Sequence, residues 1–515
     1  MLRFTAVLAL AATITATMGP LVVDTTILDG CGVLNPGGST QNCEDTGSCA
    51  DASTCAARCD ANPRCSGVTW TDGNQGAWAN RCCFRTDNIT NFRACGAACG
   101  HTSAQKTSGW VPPPPPPPLV WPPLAAGWTG RVKPFWFGAN ESLQSDETLA
   151  LMARHAVAGF GWQQGHPGGG SPGREEALLA AAATHARDYF SRVNASTTLF
   201  VYRQIQVCCS MFASCWYANS ANETSGFWLT DDAGNRCIAP EPWGTKDAIW
   251  DFRREGATDW FVDNFIGELT GETAVTNAGG SPGAVFFDEV DQNTCGYHGS
   301  SCNFDSFNAS SFATQQNASN AMLSRAAAAL NAANIIPIFS LDNRINASSA
   351  GLPGAVTPCA LPEDDTIAAL KGATWVRFYE NWPSTFWRPQ NADLNAAMIR
   401  NAILETAAGV PTVLHGGGAC PAADRNITRP GRLGGDVEFM IASYLIVADA
   451  GTTLSLSDNW YDDNFCWRPE LDVDFGAPLG LATQVGTHSW TRNFSRANVA
   501  LDVSSGYAGT VDLLA

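Results

Sequence analysis

From about Arg131 to the C-terminus, short apolar runs alternate with longer stretches in which apolar residues recur every third or fourth position. Short apolar runs bounded by turn residues read as buried strands, and the longer recurrence reads as amphipathic helix. Strands are expected at 134–139, 156–162, 198–206, 284–290, 336–341, 375–380, 411–415 and 453–457. Helices are expected at 145–155, 175–193, 256–269, 319–333, 364–371, 392–408 and 436–448. Buried strands alternating with helices over roughly 330 residues indicate an α/β fold of the (β/α)8 TIM-barrel type. A doubly wound open sheet is the alternative, but no Gly-rich dinucleotide or phosphate loop follows the first strand. The barrel domain is assigned to 127–475, and shorter alternating segments at 476–515 predict a C-terminal β extension.

The pattern differs before the barrel. Arg3 precedes an apolar stretch from Phe4 to about Ala16, followed by the small residues Thr17 and Gly19. This predicts a signal peptide over 1–19, since a bilayer crossing takes about 20 apolar residues. A signal anchor is the alternative. No later segment has the uninterrupted apolar length of a membrane span. Residues 111–126 form a proline-rich linker, in which the unbroken Pro112–Pro118 run predicts an extended polyproline II spacer of roughly 3.1 Å per residue.

Cysteine usage changes the picture of what lies between. Of 19 cysteines, ten fall between Cys31 and Cys99, a density suited to an oxidising compartment. Sequons begin at Asn88, Asn140, Asn194, Asn222, Asn308, Asn317, Asn346, Asn426 and Asn493, so a secreted, extracellular glycoprotein is expected. Within the cysteine-rich module at 25–110, Cys55-X3-Cys59-X5-Cys65 precedes Gly67-Val68-Thr69-Trp70 and Cys82-Cys83-Phe84-Arg85. This arrangement resembles the PAN/Apple type. The resemblance implies a small disulfide-rich α+β module with a cysteine-bearing helix and a glycan or protein ligand. A disulfide knot without a ligand is the other reading.

The chain carries 30 basic and 48 acidic side chains, a net charge of -18. Such a balance repels phosphate backbones and anionic membranes, so no nucleic-acid partner is expected. With 18 Trp and 25 Phe, the chain has aromatic faces suited to stacking on sugar rings, or else simply a large core.

In barrel enzymes the active site forms where strands end. Asp288 and Glu380 each close a strongly apolar strand, the fourth and the sixth. Glycoside hydrolysis needs two carboxyl groups, one protonated for the leaving group and one ionised as nucleophile or base. The alternative is a buried salt bridge of Glu380 with Arg377 or Arg203. Asp288 is followed by Glu289, and strand alternation sends the two to opposite sides, so either can be the working acid. Trp136, Arg203, Glu289, Asp291, Asp342, Trp382, His415, Asp458 and Trp460 lie at or beside strand ends and are expected to contact a carbohydrate substrate.

No cofactor and no metal are expected. The Asp288–Asp291 run, with Asp458, Asp462 and Asp463, offers oxygen ligands for calcium but lacks EF-hand spacing. There is no HExxH and no G-X-S-X-G. His155 reads as structural. Cys208, Cys209, Cys215, Cys295, Cys302, Cys420 and Cys466 read as staples of loops beyond the strands.

The segment from about Lys133 onward resembles glycoside hydrolases with a TIM-barrel domain. The resemblance is carried by Pro134-Phe135-Trp136, Leu149–Arg154, Tyr202-Arg203, Trp228-Leu229-Thr230-Asp231, Asp251-Phe252, Val285–Asp288 and Arg377–Trp382. The tail adds Gly476-Ala477-Pro478-Leu479-Gly480, Trp490-Thr491-Arg492-Asn493-Phe494 and Val499-Ala500-Leu501, with Arg496-Ala497-Asn498 in place of the usual glycine turn. It implies hydrolysis of glycosidic bonds, with Asp288 as nucleophile and Glu380 as acid/base. Two other classes stand beside it. One is a non-catalytic carbohydrate-binding or adhesion protein with a degenerate barrel. The other is a polysaccharide lyase using Tyr379 or His415 as base.

Overall fold

The computed structural model divides the chain into two units, Met1–Pro117 and Pro118–Ala515. It describes seven short strands of the first unit and residues 119–514 of the second, apart from single positions and stretches of which the longest are 165–174, 267–282, 291–308, 342–362, 383–391, 417–427 and 457–466.

In the first unit, Val22–Val23, His101–Gln105, Gly67–Thr71, Arg81–Arg85 and Glu44–Ser48 form one sheet in that order. Thr25–Ile27 pairs with Phe92–Ala94 in a second. The expected aromatic strand and the Cys82-Cys83 strand are antiparallel neighbours, with Thr69 opposite Cys83 and Trp70 opposite Cys82. The expected cysteine-bearing helix, the signal peptide and the Pro112–Pro118 run lie outside the described residues.

The second unit is built on eight parallel strands: β1 (Phe135–Gly138), β2 (Val157–Phe160), β3 (Thr198–Gln204), β4 (Gly283–Asp288), β5 (Ile335–Ser340), β6 (Val376–Tyr379), β7 (Thr412–Gly416) and β8 (Thr453–Leu456). They pair in sequence order. A parallel bridge between Pro134 and Leu454, with Leu454 N donating to Lys133 O at 2.9 Å, brings β8 back to β1 and closes the barrel. Helices α1 (Asp146–Met152), α2 (Glu175–Val193), α3 (Ala257–Trp260, continuing as a π-helical turn Phe261–Ile266), α4 (Ala309–Ala332), α5 (Glu363–Ala369), α6 (Ala392–Ala407) and α7 (Glu438–Val447) follow β1 to β7. Among the described residues after β8, a 3-10 turn at Pro469–Asp472 stands where a further helix would complete the pattern.

Register decides which residues face the barrel lumen, because side chains alternate along a strand and parallel partners point the same way. Phe137 contacts Phe200, Tyr202, Phe286 and Phe378, which places these aromatic rings inside. Gly159 of β2 lies on the same face. A Cβ there would collide with the Phe200 ring and carbonyl, so only glycine lets Phe200 cross the interior.

Residues 119–126, expected to belong to the linker, pack instead beneath the N-terminal ends of β6 and β7. Trp121 is fully buried there, and Thr374 Oγ1 donates to Leu119 O at 2.7 Å. The reason is compositional: Leu119, Trp121 and Leu124 interrupt the prolines with side chains worth burying. Lys133 Nζ ties this segment down by donating to the carbonyls of Pro123, Gly127 and Ala450. An apolar cavity of about 570 Å³ lies beside Trp121 and Trp375 at this end of the barrel, opposite the strand ends that carry Asp288 and Glu380.

The C-terminal extension is a sheet of β9 (Thr483–Gly486), β10 (Ser489–Asn493), β11 (Ala497–Asp502) and β12 (Ala508–Leu513). A hairpin from between β7 and α7, Thr428–Arg429 with Arg432–Leu433, joins its far edge by pairing with β12. This explains α7, whose sequence EFMIASYLIV has no polar face. A helix that is apolar all round must be covered on all sides, and here the extension covers the side turned away from the barrel. Gly509 lies against Phe439 and Ala442, and Val511 N donates to the Glu438 carboxylate at 3.0 Å.

Candidate active site

β4 alternates Phe286 inward, Phe287 outward against Phe339, and Asp288 inward again. Asp288 is the last residue of that strand and is partly exposed. Its register partner on β3 is Gln204, and one layer below stands Tyr202 opposite Phe286. The Tyr202 hydroxyl donates to Asp288 Oδ2 at 2.9 Å. The Tyr202 ring is held by Phe212 at 6.2 Å, Phe286 at 5.7 Å and Phe137 at 6.4 Å between centroids.

Two strands further round the barrel, Phe378 of β6 faces the lumen, and Glu380 follows two positions later on the same alternation, partly exposed. His415 on β7 stacks on Phe378 at 5.6 Å and lies near Phe137. Its Nδ1 lies 2.9 Å from Glu380 O. A carbonyl can only accept, so Nδ1 carries the proton and Nε2 is the acceptor nitrogen. Burial pushes the His415 imidazole down to about 4, so it stays neutral near pH 7. Trp382 N donates to His415 O at 2.9 Å, and Gly416 lacks the Cβ that would meet the Trp382 carbonyl. The backbone on either side of Glu380 is thereby clamped to the end of β7.

Not every expected contact residue shares this face. Trp136 alternates outward from Phe135 and Phe137, fully buried against the edge of His155 at 5.4 Å. Trp382 is also turned away, its Nε1 donating to Ser443 Oγ on α7 at 2.9 Å. Both were expected to contact substrate, and both are packing residues between barrel and helices. Arg203 alternates outward with Phe287, is buried, and lies over the Phe212 ring at 5.1 Å. It supports Phe212, which in turn stacks on Tyr202. Glu289, Asp291, Asp342, Asp458 and Trp460 lie outside the described residues.

The salt bridge considered for Glu380 takes a different form. Arg377 points outward, with Nη2 donating to Leu341 O at 2.7 Å and Nη1 lying 3.7 Å from Glu405 Oε1 on α6. Tyr379 shares that face, and its hydroxyl donates to Glu405 Oε2 at 2.6 Å. Tyr379 is therefore no base for an elimination in the lumen. His155 is structural, donating from Nδ1 to Leu151 O at 2.9 Å. Cys208 and Cys215 form a disulfide just beyond β3. Among the described residues no group of three or more His, Cys, Asp or Glu could hold a metal ion, and no helix is long and apolar enough to cross a membrane.

Sequence reasoning names Tyr202 beside Arg203 but gives it no role at the site. Its signal was its place two residues before the β3 end, directly below the level at which Asp288 closes β4. Chemically, the arrangement offers two carboxyl groups at one end of an aromatic-walled barrel, one of them already holding a neutral hydrogen-bond donor.

No family model and no curated protein matches the chain. Among solved structures, the chain is similar to the catalytic domain of β-amylase from Paenibacillus polymyxa, at 8% identity and a TM-score of 0.37 over 65% of this chain and 94% of that one. It is also similar to an α-galactosidase from Thermus thermophilus, at 12% identity and a TM-score of 0.37 over 83% of this chain and 75% of that one. A broad-specificity endoglucanase from an uncultured bacterium gives 12% identity and a TM-score of 0.33 over 62% of this chain and 78% of that one. At such scores the likeness carries no chemistry across.

Proposed function

We propose that this chain is a secreted glycoside hydrolase that cleaves a polysaccharide or glycoconjugate with a pair of carboxyl groups, Asp288 and Glu380. The observation that supports this most is their placement. Both stand on the lumen-facing alternation at the C-terminal ends of their strands, β4 and β6, where barrel enzymes assemble their sites. Glu380 protonates the departing glycosidic oxygen. Asp288, ionised, attacks the anomeric carbon or activates the water that does so. The cysteine-rich module holds the enzyme near its glycan or protein target.

The test is a glycan-panel hydrolysis screen with the mature protein recovered from the culture medium. Asp288→Asn and Glu380→Gln should each lower kcat about 100-fold or more, as the loss of an acid/base or nucleophile does, without changing the melting temperature. Full turnover in either variant removes that residue from the mechanism. Retained glycan binding with no turnover by the wild type would instead favour a carbohydrate-binding protein with an idle barrel. Unsaturated products absorbing in the ultraviolet would mark a lyase.

A further inference from the structure

We propose that Tyr202 is a positioning residue that sets the division of labour between the two carboxyl groups, holding Asp288 ionised and fixed in orientation so that it works as nucleophile or base and never as the acid. The inference rests on the proposed hydrolase reading for its consequence in catalysis, but its structural content stands apart from it.

Three observations carry the argument. The first is the hydrogen bond itself, from the Tyr202 hydroxyl to Asp288 Oδ2 at 2.9 Å. A phenol near neutral pH is protonated and donates its single proton; a carboxylate accepts it, so the contact favours the charged form of Asp288. Bonds of this kind, to an ionised acceptor, are roughly twice as strong as neutral ones. The second is that the donor cannot swing away. Tyr202 is 2% exposed, and its ring is walled by Phe137, Phe212 and Phe286. Phe212 is backed in turn by the Arg203 guanidinium at 5.1 Å. The third is register. Tyr202 sits opposite Phe286, one layer below the Gln204–Asp288 pair, on the same face of the two adjacent strands. Its hydroxyl thus rises along the lumen wall to meet the carboxylate from beneath.

Two-carboxylate hydrolysis requires one ionised and one protonated partner. Tyr202 is the part of that requirement that the fold builds into β3.

The experiment is Tyr202→Phe in the full chain, which keeps the ring and its packing and removes one hydroxyl. Infrared difference spectra against Asp288→Asn, taken in both the wild-type and Tyr202→Phe backgrounds over a pH series, isolate the carboxyl C=O band of Asp288. The protonated band should appear at a higher pH in Tyr202→Phe than in the wild type. The same onset in both, with folding intact, overturns the proposal. If Tyr202→Phe does not fold, the phenol C–O stretch of isotope-labelled tyrosine in Asp288→Asn decides the matter: a shifted band supports the contact, and an unchanged spectrum overturns it.

On a substrate that the wild type hydrolyses, Tyr202→Phe should lower kcat/KM about 10- to 100-fold, as loss of a hydrogen bond to a charged group does. The acid limb of its pH profile should move to higher pH. A uniform loss at all pH values would mark a purely structural role and overturn the proposal. Absence of hydrolysis by the wild type would sink the proposed function, while the infrared arm still decides Tyr202.

Discussion

His415 and His155 are both buried, one lining the lumen and the other between α1 and Trp136, and burial pushes each imidazole down to about 4. In the unfolded chain both titrate near 6.5. Between those values the unfolded chain binds protons that the folded one does not, so stability falls as pH drops from about 6.5 to about 4. The loss approaches roughly 3 kcal/mol for each histidine. Urea unfolding at pH 7 and at pH 4.5 measures it. His155→Gln should flatten the pH dependence relative to the wild type, and an equally steep dependence in the variant would contradict the buried-neutral reading. At this same scale, residue identity at the strand ends was legible in the sequence, whereas side-chain direction was not. A strand buried on both faces is apolar at every position, so nothing in Pro134-Phe135-Trp136-Phe137 reveals that Phe135 and Phe137 enter the lumen while Trp136 leaves it. The same ambiguity hid the outward turn of Arg203, Arg377, Tyr379 and Trp382. The strand-end positions of Asp288 and Glu380 were readable because carboxylates interrupt those runs, and the inward turn of Tyr202 was not, because a tyrosine in an apolar run looks like any other core aromatic.

At the scale of elements, the eight strands follow the expected runs within a few residues, and α2 spans Glu175–Val193 as the periodicity predicts. Parallel strands needing cover on both faces and helices needing one apolar stripe leave strong marks in sequence. What the periodicity could not show is how α7 meets the extension. Arg492 of β10 lies at the C-terminal end of α7. Its Nη1 donates to the carbonyls of Leu445 at 2.9 Å, Ile446 at 3.3 Å and Ala448 at 2.6 Å, and Nε donates to Gly480 O at 3.0 Å. A cation there satisfies carbonyls that the helix leaves unpaired and complements its dipole. Arg492→Ala should destabilise the protein by about 3 kcal/mol, since buried acceptors would lose their partner. Arg492→Lys should recover only part of this, because a point charge cannot reproduce the planar fork. Chemical denaturation of the two variants checks both, and full recovery by lysine would show that charge alone matters.

Over the whole molecule, the boundary between the two units falls at Pro117, so part of the expected linker belongs to the barrel. A chain beginning at Pro118 should unfold at the same denaturant midpoint as the barrel in the full protein. One beginning at Gly127 loses Leu119, Trp121 and Leu124 from beneath β6 and β7 and should be about 3–5 kcal/mol less stable, the range for removing a buried tryptophan. Equal midpoints for the two would show that the segment only rests on the surface.

The strand pair Thr428–Arg429 and Arg432–Leu433 leaves the barrel between β7 and α7, yet its partner is β12, Ala508–Leu513, which the chain reaches only after α7 and β9 to β11. A ribosome releases the chain in order. α7 therefore emerges with one flank bare and waits for some seventy further residues before β11 and β12 can cover it. A copy that stops before β11 would carry every residue proposed for chemistry, and would still display an uncovered apolar helix. The extension thus acts as a checkpoint on synthesis: the sheet closes over α7 only once β11 and β12 have been made.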